Sequence, residues 1–458
     1  MSSSRNSPVP ATLVAQAGAA LAALVASSRA RRVLVALSGG LDSSVLLDLG
    51  CRYARRADLD IGALHVDHGL APDSAQWAAH CEALAARLDV PCVVRRLAGR
   101  PPAGASVEAW AREQRYAELA AMAGTDTLVV TAHHRGDQCE TVLQRVLEGA
   151  GPHGLGGIRG LRRLGEGYLG RPLLDIEREA LRAYAGMAGL SWIEDASNQD
   201  RRFRRNRLRH DVLPVLEAAV PGARSGLLRL AAIQADVATG LDRFADGLLA
   251  ASARPPHRIA LATLGAAGQE WAPFVLRRAL ARAGCAQPGR RQLGEILASA
   301  CGARPDANPV VRWGAHAVRR YRDELFVTPA VLPMIPAGPV SWRFERPLEL
   351  AGGSLVLRPG HRHALDVACL GDSGAVLCVD FRRGGETCRP HGSAHHRPLK
   401  QLFQEWGVPP WERTRTPLLY VDGVLAAVVG YCVCEGFAAR GEGLEPVWTP
   451  ARDATPAQ

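Results

Sequence analysis

The segment with the most chemistry per residue is Ser38-Gly39-Gly40-Leu41-Asp42-Ser43-Ser44, between an apolar run, Val33 to Leu37, and a helical pattern opening at Asp42. Glycines let a backbone approach an anion closely, and consecutive N–H groups at a helix N-terminus form a phosphate nest. Ser38 and Ser43 add hydroxyl donors, and Asp42 can cap the helix or hold Mg2+. The G-K-[ST] ending of a Walker A loop is missing. Ser, Gly and Asp are also ordinary turn residues, so taken alone the segment leaves phosphate binding and a plain turn equally open.

Four further groups carry candidate chemistry. His65-Val66-Asp67-His68-Gly69-Leu70 closes an apolar run and suits a nucleotide-site role, polar capping or metal binding. In Glu108 to Tyr116, residues Glu108, Arg112, Arg115 and Tyr116 share one helical face, which a solvated salt-bridged face would also show. Thr131 to Thr141 (TAHHRGDQCET) runs from a strand end into a helix start, where Asp137 is placed either to cap the helix or to bind a metal. Arg201 to His210 packs six arginines around Phe203, a composition suited to phosphate contacts and base stacking, although charge runs are usually solvated surface.

The elements needed to hold these groups follow from periodicity. Val33–Leu37, Ile61–Val66, Cys92–Leu97 and Thr127–Thr131 read as strands, alternating with helices from Asp42, Ser74, Ser106 and Gln138. That alternation predicts an α/β domain with a doubly wound parallel sheet, whose ligands bind beyond the strands' carboxyl ends. Residues 11–30 read as an Ala-rich surface helix after a polar tail, and a signal-peptide reading is rejected. Gly149 to Gly170 reads as a mobile Gly-rich loop. Helical Leu/Ala/Arg texture then gives way to Pro-broken, β-rich sequence. The expected division is 1–30 tail and helix, 31–215 catalytic domain, 216–330 helical domain, 331–375 linker and β-rich segment, 376–440 small α+β domain and 441–458 tail.

The balance of 47% hydrophobic and 22% charged residues in 458 is that of a folded soluble protein of two or three domains. A net charge of +10 suits an anionic macromolecule. Lys400 is the only lysine, so arginine carries the charge, as GC-rich coding would dictate. The 11 cysteines form no C-x-x-C; the closest spacing is Cys432 and Cys434. This points to a reducing, cytoplasmic setting and against a structural zinc or iron–sulfur site. No stretch reaches the ~20 apolar residues of a membrane span.

Taken together the motifs resemble the tRNA(Ile)-lysidine synthetase family of the N-type ATP pyrophosphatases. The S-G-G-x-D-S loop, the H-V-[ND]-H-G-L segment, the E-x-x-A-R-x-x-R-Y helix and E-D-x-S-N followed by R-N-x-x-R all have counterparts here, as do Arg171-Pro172-Leu173-Leu174 and the C-terminal Arg382–Glu386, Arg389-Pro390, Arg397–Lys400 and Gly407–Arg413. One departure stands out: family members usually carry two aspartates before the glutamine, and here Gly136 replaces the first. The resemblance implies ATP and Mg2+ as cofactors, with Ser38, Gly39, Gly40, Leu41, Asp42, Ser43, His65 and His133 on ATP and Asp42 and Asp137 on the metal. It implies catalytic roles for Asp42, Asp137, Arg112 and Arg205. Contacts to tRNA fall to Arg201, Arg205, Asn206, Arg209, Arg389, Arg397, Lys400 and Arg413. The implied reaction adenylates the wobble cytidine of the CAU anticodon of tRNA(Ile) and replaces AMP with free L-lysine, changing decoding from AUG to AUA. A tRNA thiolase of the same fold and a non-catalytic RNA-binding protein are the alternatives. The absent C-x-x-C argues against the first and the intact loop against the second. No membrane partner is expected, and a homodimer stays open.

Overall fold

A computed structural model describes residues 11–450, apart from 70–72, 98, 103, 105, 196–198, 305–306, 362 and 371–376. Leu70 and Asn198, both in the motifs above, lie outside the described residues, as does the side chain of Glu108. The chain divides into two compact units, one ending at Phe244 and one starting at Ala245. The boundary falls within the helix Ala223–Ala251, beyond the expected break near 215.

The first unit is the expected α/β domain. Strands β1 (Arg32–Ala36), β2 (Asp60–Asp67), β3 (Cys92–Arg96), β4 (Thr127–Val130), β5 (Leu161–Leu164) and β6 (Gly167–Gly170) form one sheet in the order β3-β2-β1-β4-β6-β5. All neighbours are parallel except the β5–β6 hairpin. Helices α1 (Ala11–Ser28), α2 (Leu41–Ala57), α3 (Ser74–Arg87), α4 (Val107–Ala121) and α5 (Arg135–Leu147) surround it. Two apolar clusters cover the two faces, one including Val33, Val35, Leu46 and Tyr184, the other Leu34, Leu64, Tyr116 and Leu169. Strands β1, β2 and β4 run side by side in register, so their carboxyl ends, near Leu37, His65 and Thr131, meet at one edge of the sheet.

Two expectations are corrected here. The N-terminal helix is a core element: Leu13, Ala17 and Leu21, four residues apart, are buried with the sheet's own core. The Gly149–Gly170 stretch contains the helix Pro152–Leu155 and the β5–β6 hairpin. Its glycines serve close packing: a Cβ on Gly167 would lie 2.5 Å from the carbonyl oxygens of Gly124 and Thr127.

The second unit opens as an α+β module, adding a sheet to the helices expected in the 216–330 region. Helices Leu261–Ala267, Ala272–Arg282 and Arg290–Ile296 accompany a four-stranded antiparallel sheet, Arg258–Ala260, Glu324–Pro329, His316–Tyr321 and Val310–Trp313. The strands were hidden by their arginine content, as in Arg319-Arg320-Tyr321. Beyond it, Val340–Trp342 pairs with Leu377–Phe381, and Gly353–Gly360 pairs with Gly443–Pro450. The segment expected as linker and β-rich (331–375) supplies strands, and the segment expected as tail (441–458) contributes the strand Gly443–Pro450 to the C-terminal fold.

Candidate functional site

The loop after β1 is built around one left-handed glycine. Gly39 has φ +81°, and a Cβ there would press on Ile193 Cδ1 and Cys81 Sγ at 3.0 and 3.1 Å. Ile193 N–H donates to the Gly39 carbonyl at 2.9 Å, tying the loop to the 192–195 segment. Ser43 Oγ donates to the Gly40 carbonyl (3.0 Å), accepts from Ser38 N–H (3.2 Å) and lies 3.0 Å from Ser38 Oγ. The N-cap of α2 is Gly40, with no side chain capping it, so the first-turn N–H groups remain for an anion. Asp42 is thus not the cap. Its Oδ1 is buried without a hydrogen-bond partner, while Oδ2 lies 3.5 Å from Arg178 Nε and 3.9 Å from His134 Nε2.

Facing this loop, α5 begins at the end of β4. Gly136 N–H donates to His134 Nδ1 (3.0 Å), and Asp137 Oδ2 accepts from His134 N–H (2.9 Å), a reciprocal cap. The other oxygen, Oδ1, accepts from Arg205 Nη2 at 2.7 Å and from Arg209 Nη2 at 3.1 Å. Asp137 is therefore cap and ion-pair partner at once. Although burial opposes it, the neighbouring His134 and Arg205, together with the bond from His134 N–H, hold its carboxyl below the usual range. Glu140, one helical turn on and 2% exposed, takes Arg205 Nε at 2.7 Å and Arg209 Nε as well. It is a site residue that motif reading passed over. Its signal was a carboxylate at i+3 from Asp137, with two arginines at i, i+4 spacing elsewhere in the chain.

The histidines divide by role. His65 is buried with Nδ1 2.9 Å from the Leu37 carbonyl, joining the ends of β1 and β2 beneath the loop. His133 Nδ1 lies 3.0 Å from Thr131 Oγ1, and burial brings its pKa down to about 3, with the nearby Arg171, Arg205 and Arg112 acting in the same direction. It is a neutral ring at physiological pH. Arg112 is exposed and lies 5.1 Å over the Tyr116 ring, as does Arg162. Against burial, Arg112 and Arg171 hold the Tyr116 phenol below its ordinary pKa. Arg171, itself buried, has Nε without a hydrogen-bond partner, a second residue not assigned a role from sequence. A cleft of about 780 Å3 is lined by residues from these segments, among them Ser38, Asp42, His133, Asp137, Arg178 and Arg205. Cys81, 3.3 Å from His65 Nδ1, is pushed up to about 12 by burial and packs as a thiol.

This cleft combines an uncapped helix N-terminus, an orphaned carboxylate oxygen and paired arginines at the carboxyl edge of a parallel sheet. The PP-loop domain family matches residues 13–216, the TilS substrate binding domain residues 259–326 and the TilS substrate C-terminal domain residues 377–447. Proteins named tRNA(Ile)-lysidine synthase are similar over nearly the whole chain. That of Coxiella burnetii is 37% identical over 89% of this chain and 90% of its own, and that of Methylococcus capsulatus 38% over 91% and 96%. That of Chromobacterium violaceum is 41% identical over 91% and 95%. The chain belongs to the tRNA(Ile)-lysidine synthase family.

Within this family member, the residues assigned to RNA fall into two groups. Arg205 and Arg209 turn inward to Asp137 and Glu140, and buried Asn206 donates to the Asp200 carbonyl at 2.9 Å, shaping the segment from within. Arg201, Arg202, Arg204 and Arg207 point outward with Phe203, which is 37% exposed. Arg201 pairs with Asp211 and Arg204 with Glu148. In the C-terminal module Lys400 is exposed, Arg397 pairs with Glu405, and Arg389 lies 3.7 Å from Glu435. Arg413 is partly buried, and its Nη2 donates to Tyr321 Oη at 3.1 Å and Nε to the Val408 carbonyl at 2.8 Å. Among the described residues no helix is long and apolar enough to cross a membrane.

Proposed function

We propose that this chain performs the reaction named for its family: ATP-dependent ligation of free lysine to the wobble cytidine of a tRNA(Ile) with a CAU anticodon. ATP seats its phosphates on the N–H groups of Gly39 to Ser43 and the hydroxyls of Ser38 and Ser43, where the helix dipole favours negative charge. The cytidine's base carbonyl oxygen attacks the α-phosphorus, the bond to pyrophosphate breaks, and the adenylated base then exchanges AMP for the lysine amine. A base carbonyl oxygen leaves poorly until adenylated, so the first step makes the second feasible.

The observation that carries this reading is the carboxylate pair lining a cleft of nucleotide size: Asp42 with its orphaned Oδ1 and Asp137 with its arginine partners, their other oxygens 3.9 and 3.6 Å from His134 Nε2. Asp42 fits a Mg2+ ligand, because a buried carboxylate oxygen without a donor suits a hard cation. Asp137 would complete such a site by giving up an arginine contact. Bound there, Mg2+ would neutralise charge on the departing pyrophosphate. Arg205 and Arg209, held on Glu140, keep positive charge beside the reacting phosphates.

The test is pyrophosphate release with tRNA(Ile) transcript, with lysine omitted so that only activation is read. Asp42→Ala and Asp137→Asn should each abolish release while leaving most tRNA affinity. Release at the wild-type rate in either variant would overturn the assignment.

A further inference from the structure

The C-terminal module contains a cluster that plays no part in the reaction above. Cys388 on the strand Thr387–Cys388 lies 2.9 Å, sulfur to sulfur, from Cys434 and 3.8 Å from Cys432. The three are 1%, 4% and 7% exposed, among Leu399, Leu402, Phe403 and Val428. The backbones carrying them are already joined. Pro390 bridges Cys434, His391 N–H donates to the Val433 carbonyl at 2.9 Å, and Glu435 N–H to the Arg389 carbonyl at 2.8 Å. Thiols on paired segments at this separation need only side-chain rotation to reach the ~2.05 Å of an S–S bond.

We propose that these three thiols form an oxidisable centre in which Cys388 becomes disulfide-linked to the Cys432–Cys434 segment, the third thiol remaining to exchange. Cys432 is the most exposed of the three and the natural entry point. Its sulfur lies 3.8 Å from that of Cys388, and these neighbouring thiols, Cys388 first and then Cys434, bring its pKa down to about 4, so it reacts as a thiolate. The oxidant is hydrogen peroxide. The thiolate attacks one of its oxygens, an S–O bond forms as O–O breaks, and the hydroxide that leaves takes a proton from solvent, giving a sulfenic acid and water. The Cys388 thiol then attacks that sulfur, the S–S bond forms, and a second water leaves with its proton. Two thiols thus lose two electrons to one peroxide. Cys434, already beside Cys388, can take over the bond by thiol exchange, which keeps it reversible.

Such a bond pins the hairpin 387–398, which carries Arg389 and Arg397. Any effect on RNA rests on the docking role of those residues; the cross-link itself does not. The test treats the full-length protein with hydrogen peroxide, unfolds it in an alkylating agent, digests it without reductant and maps cysteines by mass spectrometry. The expected product joins the Cys388 peptide to the one holding Cys432 and Cys434, disappears after dithiothreitol, and leaves the separately buried Cys51 and Cys139 alkylated. Cys388→Ala should lack it. Should that variant fail to fold, reversal by dithiothreitol in the wild-type protein still decides. Full alkylation of all three after peroxide, irreversible over-oxidation without a cross-link, or a zinc ion retained on the three thiols would each overturn the proposal.

Discussion

Two acidic residues spaced three apart on α5 hold two arginines spaced four apart, and the site depends on that interlock. Glu140 is buried with both guanidiniums on it. Replacing it with Gln leaves Arg205 and Arg209 with Asp137 alone. Glu140→Gln should lower pyrophosphate release by about 100-fold and folding stability by roughly 3 kcal/mol, read by single-turnover kinetics and urea unfolding. Unchanged values in both would show the interlock to be idle. His133 gives a pH test. Its folded-state pKa, down near 3, lies below the ~6.5 of an exposed ring, so the unfolded chain takes up the proton first. Its contribution is full above about pH 6.5 and is lost as pH falls towards 3, by at most about 1.4 kcal/mol per pH unit. His133→Asn should therefore show a shallower loss of stability between pH 6.5 and 5 than wild type; parallel curves would contradict the burial argument. At this scale the sequence was legible where backbone chemistry repeats, as at Gly39, Ser43 and Asp137. It was not legible for Glu140 or Arg171, whose roles depend on partners far along the chain.

Elements were legible where period and burial agreed. The strands β1 to β4 and their helices fall within a few residues of the positions expected from apolar runs, because strands buried on both faces, as in β1, β2 and β4, leave continuous apolar stretches. The β5–β6 hairpin was missed because its glycines look like loop punctuation, whereas they permit backbone contact that no side chain tolerates. Gly167→Ala should cost about 1–3 kcal/mol, since its Cβ would lie 2.5 Å from two carbonyl oxygens. A urea midpoint equal to wild type would mean the hairpin can shift freely. The N-terminal helix was misplaced on the surface because alanine reads as neutral, although Ala17 is small enough to let the helix sit close on the core. In the C-terminal part it was the pairing that stayed hidden: Gly353–Gly360, within the segment expected as β-rich, and Gly443–Pro450, expected as tail, pair over a long separation, which local pattern does not encode.

The whole molecule combines a nucleotide-binding unit with a second unit that has its own sheets and cores. The net charge of +10 is spread over both, with outward arginines at 201–207 and exposed or rim basic groups at Arg389, Arg397 and Lys400. If the latter dock tRNA, replacing all three by Ala should flatten the plot of log affinity against log salt by roughly two units, at about 0.7 to 0.9 per lost phosphate contact. Activation at saturating tRNA should be little changed. An unaltered slope would shift docking to the Arg201–Arg207 surface. If this cleft first adenylates a tRNA base and then delivers lysine to it, mass spectrometry of nucleosides from a tRNA(Ile) transcript incubated with the protein, ATP and isotopically labelled lysine should show a labelled lysidine at the wobble position, dependent on both ATP and lysine. An unmodified cytidine, alongside a protein that binds ATP and the transcript normally, would contradict it.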